Sequence, residues 1–111
     1  MKNIKRILLT VVMAGVCAWS LSAATPKANW DKHCAKCHGK DGKGQTKMGK
    51  KLKLKDYTNP AVQAKLKDDE IFKAIKVGVK KGGKTKMKGY SSKLKDKDIK
   101  ALVAYIRKMK K

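Results

Sequence analysis

Acidic residues, aromatics and cysteines are all scarce in this 111-residue chain, and each scarcity excludes something. Eight Asp and Glu stand against 30 Lys and Arg, a net charge of +22. A field of that sign attracts acidic proteins and anionic surfaces and repels basic ones. The aromatics are Trp19, Trp30, Tyr57, Phe72, Tyr90 and Tyr105, too few for a platform on which nucleic-acid bases could stack. Any nucleic-acid binding would therefore be electrostatic and non-specific, with no role implied. No run of alternating β-branched residues marks a half-buried strand, which predicts a chain of helices and loops only.

The amino terminus reads as an export signal. Lys2, Lys5 and Arg6 form a positive start, Ile7 to Trp19 is mostly apolar, and Ser22-Ala23-Ala24 supplies small residues for cleavage. The apolar run is short of the ~20 residues a membrane span needs, so an uncleaved anchor is the weaker reading. Lipidation at Cys17 is a further option, but Ala14-Gly15-Val16 fits a lipoprotein signal poorly. The division is thus a cleavable secretory signal over 1–24 and one domain over 25–111, delivered to the periplasm. Removing the three basic residues of the signal takes the net charge from +22 to +19. With Cys17 gone, Cys34 and Cys37 are the only cysteines, so no long-range disulfide can staple the domain. A domain this small buries a modest core and usually needs such a staple.

The staple is legible at Cys34-Ala35-Lys36-Cys37-His38. Two cysteines three apart, with histidine directly after, form the attachment pattern of a c-type haem. On one helical turn both thiols project to the same side, each able to add to one vinyl group of the porphyrin. The following imidazole then lies under the iron as the proximal ligand. A redox dithiol would leave His38 unexplained and wants a strand-and-helix surround. A zinc site needs four ligands, and no second Cys or His pair follows. Covalent haem would also supply the apolar bulk that so few aromatics cannot. Export agrees with it, because thioether attachment in bacterial c-type cytochromes follows translocation.

Helices are expected over Lys27 to Ala35, after Asn59-Pro60, from Asp68-Asp69-Glu70 to a stop at Gly78, and at the carboxyl terminus. In the last, Ile99, Leu102, Val103, Ile106 and Met109 recur at helical spacing, with Asp96 as the expected cap. A long loop punctuated by Gly39, Gly42, Gly44 and Gly49 follows the haem motif.

These features together resemble the class I c-type monohaem cytochromes, close to the bacterial c5/c6-like group. The resemblance rests on Trp30 ahead of Cys-Ala-Lys-Cys-His-Gly, on Gly-Lys-Thr-Lys-Met-Lys-Gly-Tyr (83–90), and on Leu-Val-Ala-Tyr-Ile-Arg-Lys (102–108). It implies an all-α fold of roughly three to five helices around one covalently attached haem c and its iron. It also implies an aromatic contact between Trp30 and Tyr105, joining the first and last helices. The family's second iron ligand is a methionine in a loop before the last helix, and Met87 matches it. Met48 is the rival, but a loop only ten residues past His38 would have to cross from one face of the porphyrin to the other. Gly82, Gly83 and Gly89 around Met87 would let backbone approach the cofactor. His33 reads as a packed or solvated side chain. Two departures stand out. The proline whose carbonyl usually holds the proximal imidazole is missing from Thr46-Lys47-Met48-Gly49, and Lys88 replaces the proline that often follows the ligand methionine.

The expected function is that of a periplasmic, monomeric electron carrier and not an enzyme. Cys34 and Cys37 hold the haem, and His38 and Met87 bind the iron. Lysines at 36, 40, 43, 47, 84, 86 and 88 flank the ligand segments and suit acidic redox partners, with anionic lipid headgroups as an incidental contact. A haem enzyme or gas sensor with an open sixth site is the alternative.

Overall fold

The computed structural model describes residues 24–111, so the expected signal and Cys17 lie outside the described residues, apart from Ala24. The first helix, α1, runs from Pro26 to His38 in three parts: Pro26–Asn29, a π-helical turn at Trp30–Cys34, and Ala35–His38. Thr25 starts it, its hydroxyl accepting the Ala28 N–H at 3.1 Å, with proline in the first turn. Gly39, at φ +83°, ends it. The helix is longer than the sequence predicts, so the attachment motif lies within it. The wider turn brings the Ala35 N–H onto the Trp30 carbonyl, and both Trp30 and Cys34 are buried.

The expected long loop holds a short helix, α2, at Lys47–Leu52. The Thr46 hydroxyl donates to the Cys37 carbonyl and accepts the Gly49 N–H at 2.9 Å, which caps α2 and ties it to the haem motif. Helix α3 spans Pro60–Lys65, with Asn59 Oδ1 accepting the Ala61 N–H at 2.8 Å. Helix α4 spans Asp68–Val77, its first turn carrying Asp68, Asp69 and Glu70 as the helix dipole favours. Helix α5 spans Asp96–Arg107. Its cap differs from the expected Asp96: the Asp98 carboxylate reaches back to the Lys95 N–H at 3.0 Å. Asp96 instead pairs with Lys76 at 3.1 Å.

The expectation of helix and loop alone is corrected between α4 and α5. Gly78–Lys81 (β1) and Lys84–Lys88 (β2) form an antiparallel hairpin closed by Gly82-Gly83. Both glycines have positive φ, as a two-residue hairpin turn of this hand requires. Backbone pairing through that turn, not side-chain pattern, makes these lysine-rich strands.

The core gathers the apolar faces of α1, α4 and α5, with Trp30, Ile99 and Leu102 fully buried. The Trp30 and Tyr105 rings lie 5.8 Å apart, where α1 packs on α5. Gln63, buried on α3, donates to the carbonyls of Tyr57 and Ile106, and Arg107 bonds Asp68 and the carbonyls of Gln63 and Leu66. These bonds lock α3 and the start of α4 against α5.

Candidate haem site

Helix α1 delivers Cys34, Cys37 and His38, and strand β2 delivers Met87. All four line one cavity of about 530 Å³, within the range usual for cofactor sites. Leu52, Leu54, Ala74 and Val79 give it apolar walls, while Lys32, Lys36, Lys86 and Lys88 stand around it. An adjoining inner cavity of about 130 Å³ is also lined by Cys34, His38 and Met87, with Ile71 and Ile75 behind them. Met48 lies on α2, is 41% exposed, and lines neither cavity.

Two rings hold the His38 imidazole. Tyr57 stacks on it at 5.3 Å with 23° between the planes, and Trp30 is tilted against it at 5.6 Å. Trp30 is fixed in turn by its indole N–H, which donates to the Gly39 carbonyl at 2.9 Å. Burial pushes the His38 pKa down, which keeps the ring neutral, the form in which imidazole binds a metal. Nδ1 of His38 is buried with no hydrogen-bond partner among the described residues. Without the usual proline carbonyl, the ring is oriented by packing alone. Tyr57 is a site residue that sequence reasoning missed. No motif marks it, although an aromatic in a chain with so few was a signal.

Burial also pushes the Cys34 thiol up to about 11, with Cys37 adding to the shift. A reactive dithiol needs the opposite, a lowered thiol pKa. Both cysteines are free. Among the described residues no three His, Cys, Asp or Glu side chains cluster to hold a metal ion, as the zinc reading would require. His33 lines the outer cavity but packs on Tyr90 at 5.1 Å, and burial first, then Lys32, Lys93 and Lys88, lower its pKa.

Gly82, Gly83 and Gly89 line neither cavity. Gly82 and Gly83 sit at the hairpin tip, where an added Cβ would meet nothing within 4 Å. Gly89 does make a close approach, but to the end of α4, its Cβ position lying 2.7 Å from the Lys76 carbonyl oxygen.

The donor set fits a covalently held haem. Two adjacent thiols sit on one helix beside an imidazole with one nitrogen sealed in the protein, and a thioether shares their cavity. A mostly helical domain wrapped around such a site defines the class of cytochrome c-like proteins. The sequence matches the family model of cytochrome c oxidase, cbb3-type, subunit III over residues 22–106, and the chain belongs to that family of c-type cytochromes. It is similar to a solved c-type cytochrome, KustC0563, at 31% identity and a TM-score of 0.69, covering 78% of this chain and 99% of that one. A tyrosine-to-phenylalanine variant of KustC0563 matches at 30% identity and a TM-score of 0.65, covering 77% of this chain and 98% of that one. No curated protein matches. The chain is thus a class I monohaem c-type cytochrome, whose cofactor is haem c with its iron. Such domains are electron-transfer proteins and are usually exported. Among the described residues no helix is long and apolar enough to cross a membrane.

Proposed function

We propose that this protein is a periplasmic carrier of single electrons that acts as a monomer, with His38 and Met87 as the two iron ligands. The observation that carries this reading is that His38 and Met87, from distant parts of the chain, line the same two cavities. When bound, the haem supplies a one-electron ferric–ferrous couple. Cys34 and Cys37 would hold it by thioethers, and the half-buried His38 and Met87 would occupy the iron positions that water could otherwise take. The Met87 thioether favours a higher potential than a second histidine would give. With His38 and Met87 both bound to the iron, the chain would leave no position on it for a substrate.

The partners on this reading are acidic redox proteins. Lys32, Lys36, Lys86 and Lys88 line the outer cavity and no carboxylate does. Much of the scarce acid is committed elsewhere: Asp31 pairs with Lys27, Asp68 with Arg107, and Asp56 bonds Thr58. Such a lysine rim steers an acidic surface toward the haem edge and speeds encounter more than it tightens binding.

An absorption spectrum of the purified protein tests the central reading. Haem should stay on the polypeptide after acid–acetone extraction, at the mass of residues 25–111 plus one haem. Met87→Ala should abolish the weak far-red band of methionine-ligated ferric haem and open the iron to carbon monoxide or cyanide, while Met48→Ala does neither. A wild-type protein that lacks the band and binds such ligands freely would instead be a haem enzyme or gas sensor. For the partners, electron transfer to an acidic protein should slow steeply with salt, since screening acts over about 8 Å at physiological ionic strength. Lys86→Glu with Lys88→Glu should slow it at low salt more than Lys110→Glu with Lys111→Glu. Equal effects, or indifference to salt, would remove the steering role.

A further inference from the structure

We propose that Met87 is positioned from the base of the β1–β2 hairpin, by the contact of Gly78 with Gly89, and not by the turn at its tip. This rests on the reading of Met87 as an iron ligand and adds two positioning residues to it. The two ends of the hairpin ask for different registers. Through the Gly82-Gly83 turn, Lys81 pairs with Lys84 and Lys80 with Thr85. Continued regularly, that register would place Lys86 opposite Val79. A slip of one residue turns every side chain of a strand to the other face. The observed pairs beyond that point are instead Val79 with Met87 and Gly78 with Lys88. The register shift lies between Val79 and Lys80, leaving Lys86 as the extra residue of a bulge. Bulges of this kind re-aim side chains beside functional sites. Here the half-buried Met87 reaches the inner cavity, whereas the exposed Lys86 lines only the outer one.

Which end imposes its register follows from what each end touches. At the tip an added Cβ on Gly82 or Gly83 would meet nothing within 4 Å. At the base a Cβ on Gly78 would lie 2.5 Å from the Met87 carbonyl oxygen and 2.8 Å from the Gly89 nitrogen. One on Gly89 would lie 2.7 Å from both the carbonyl oxygen of Lys76 and the carbonyl carbon of Val77. Gly89 is outside the left-handed region, so its need for glycine is one of space alone. The next residues continue the clasp: the Tyr90 N–H donates to the Ile75 carbonyl at 2.9 Å and the Ser91 N–H to the Lys76 carbonyl at 3.2 Å. The Tyr90 hydroxyl then donates to the His33 carbonyl on α1 at 3.0 Å, linking the methionine segment to the attachment helix. The base is clasped backbone to backbone against the end of α4, beside buried Ile75 and Tyr90, and the tip is in solvent, so the bulge takes up the difference on the free side.

The test uses the haem-loaded protein and three variants, read by the far-red band and by affinity for added imidazole. Met87→Ala is the control; if it keeps the band, the ligand reading falls, independently of the clasp. Gly89→Ala should lose the band while keeping covalent haem and helical circular dichroism. It should also bind imidazole at least about ten-fold more tightly, because the internal ligand no longer occupies the site. One glycine inserted between Gly82 and Gly83 shifts the tip register and should leave band and affinity unchanged. The proposal is overturned if Gly89→Ala keeps the band at native imidazole affinity, or if the insertion abolishes it. Should Gly89→Ala not fold, the insertion decides alone, retention of the band supporting the base and loss of it the tip.

Discussion

Helix α1 and the β1–β2 hairpin each present residues to the same cavity, yet they are built in opposite ways. The helix is locked along its inner face: Trp30 is fully buried, its indole is hydrogen bonded, and the Cys37 carbonyl is held by Thr46. The hairpin is held at one end, and Lys80 to Lys86 are all exposed. A segment that carries covalent anchors can share the core of the protein, since nothing there has to adjust. On the proposed reading, a segment that carries a single weak thioether and the charges for a partner must reach solvent, and it depends on the one end that is clasped against α4. The hairpin is therefore the segment of the site with less of its surface shared with the core.

The largest expected effect lies on the helix side. Trp30→Ala should cost about 3–5 kcal/mol, as cavity-forming aromatic truncations do. That is a large share of the 5–15 kcal/mol typical of a domain. Urea unfolding of the haem-loaded protein measures it, and a smaller loss than hairpin variants show would break the contrast. Next comes Arg107→Ala, which strips a cation from Asp68 and from the carbonyls of Gln63 and Leu66. The expected loss is about 2–3 kcal/mol. Arg107→Lys should recover little of it, because a single ammonium cannot reach that spread of acceptors.

At the hairpin tip the effects shrink. Gly82→Ala should cost only about 1 kcal/mol, from a side chain forced into the left-handed region, with no change in the far-red band. A larger loss would mean that the tip takes part in the fold. The smallest effect concerns His33, against Tyr90 and near Lys32, Lys93 and Lys88. Its pKa is lowered from the ordinary 6.5, so the unfolded chain takes up the proton first as pH falls. Its contribution is fully present above pH 6.5 and is lost as pH drops from there through the folded-state pKa. His33→Gln should flatten the pH dependence of stability just below pH 6.5 and leave it unchanged above.

Legibility in the sequence follows the same division. The attachment motif, Asn59-Pro60, the acidic start of α4 and the apolar stripe of α5 are local signals, and each marks an element where it occurs. The hairpin escaped because its strands are mostly lysine and carry no alternating apolar pattern. The one available signal was Gly82-Gly83 between two short runs, which a reading by side-chain periodicity passes over. Asp96 is the plausible cap by composition, and only the path of the chain before α5 makes Lys95 the cap position, with Asp98 reaching back to its N–H. Tyr57 carries no motif, and its place against His38 depends on where α2 and the following turn return the chain.

By itself, the sequence determined the chemistry: two thiols and an imidazole at the spacing that suits covalent haem, few aromatics of its own to fill a core, and a heavily basic composition. Those properties reside in residue identity and short-range spacing, which no fold can alter. Tertiary structure alone decided how the residues meet. It brought Met87 and not Met48 to the cavities that His38 lines, left Nδ1 of that ring without a hydrogen-bond partner among the described residues, and, on the inference above, set the hairpin register through two glycines that touch only after α4 has formed. Such contacts join residues distant in the chain, so their energies appear only once the core has closed around them.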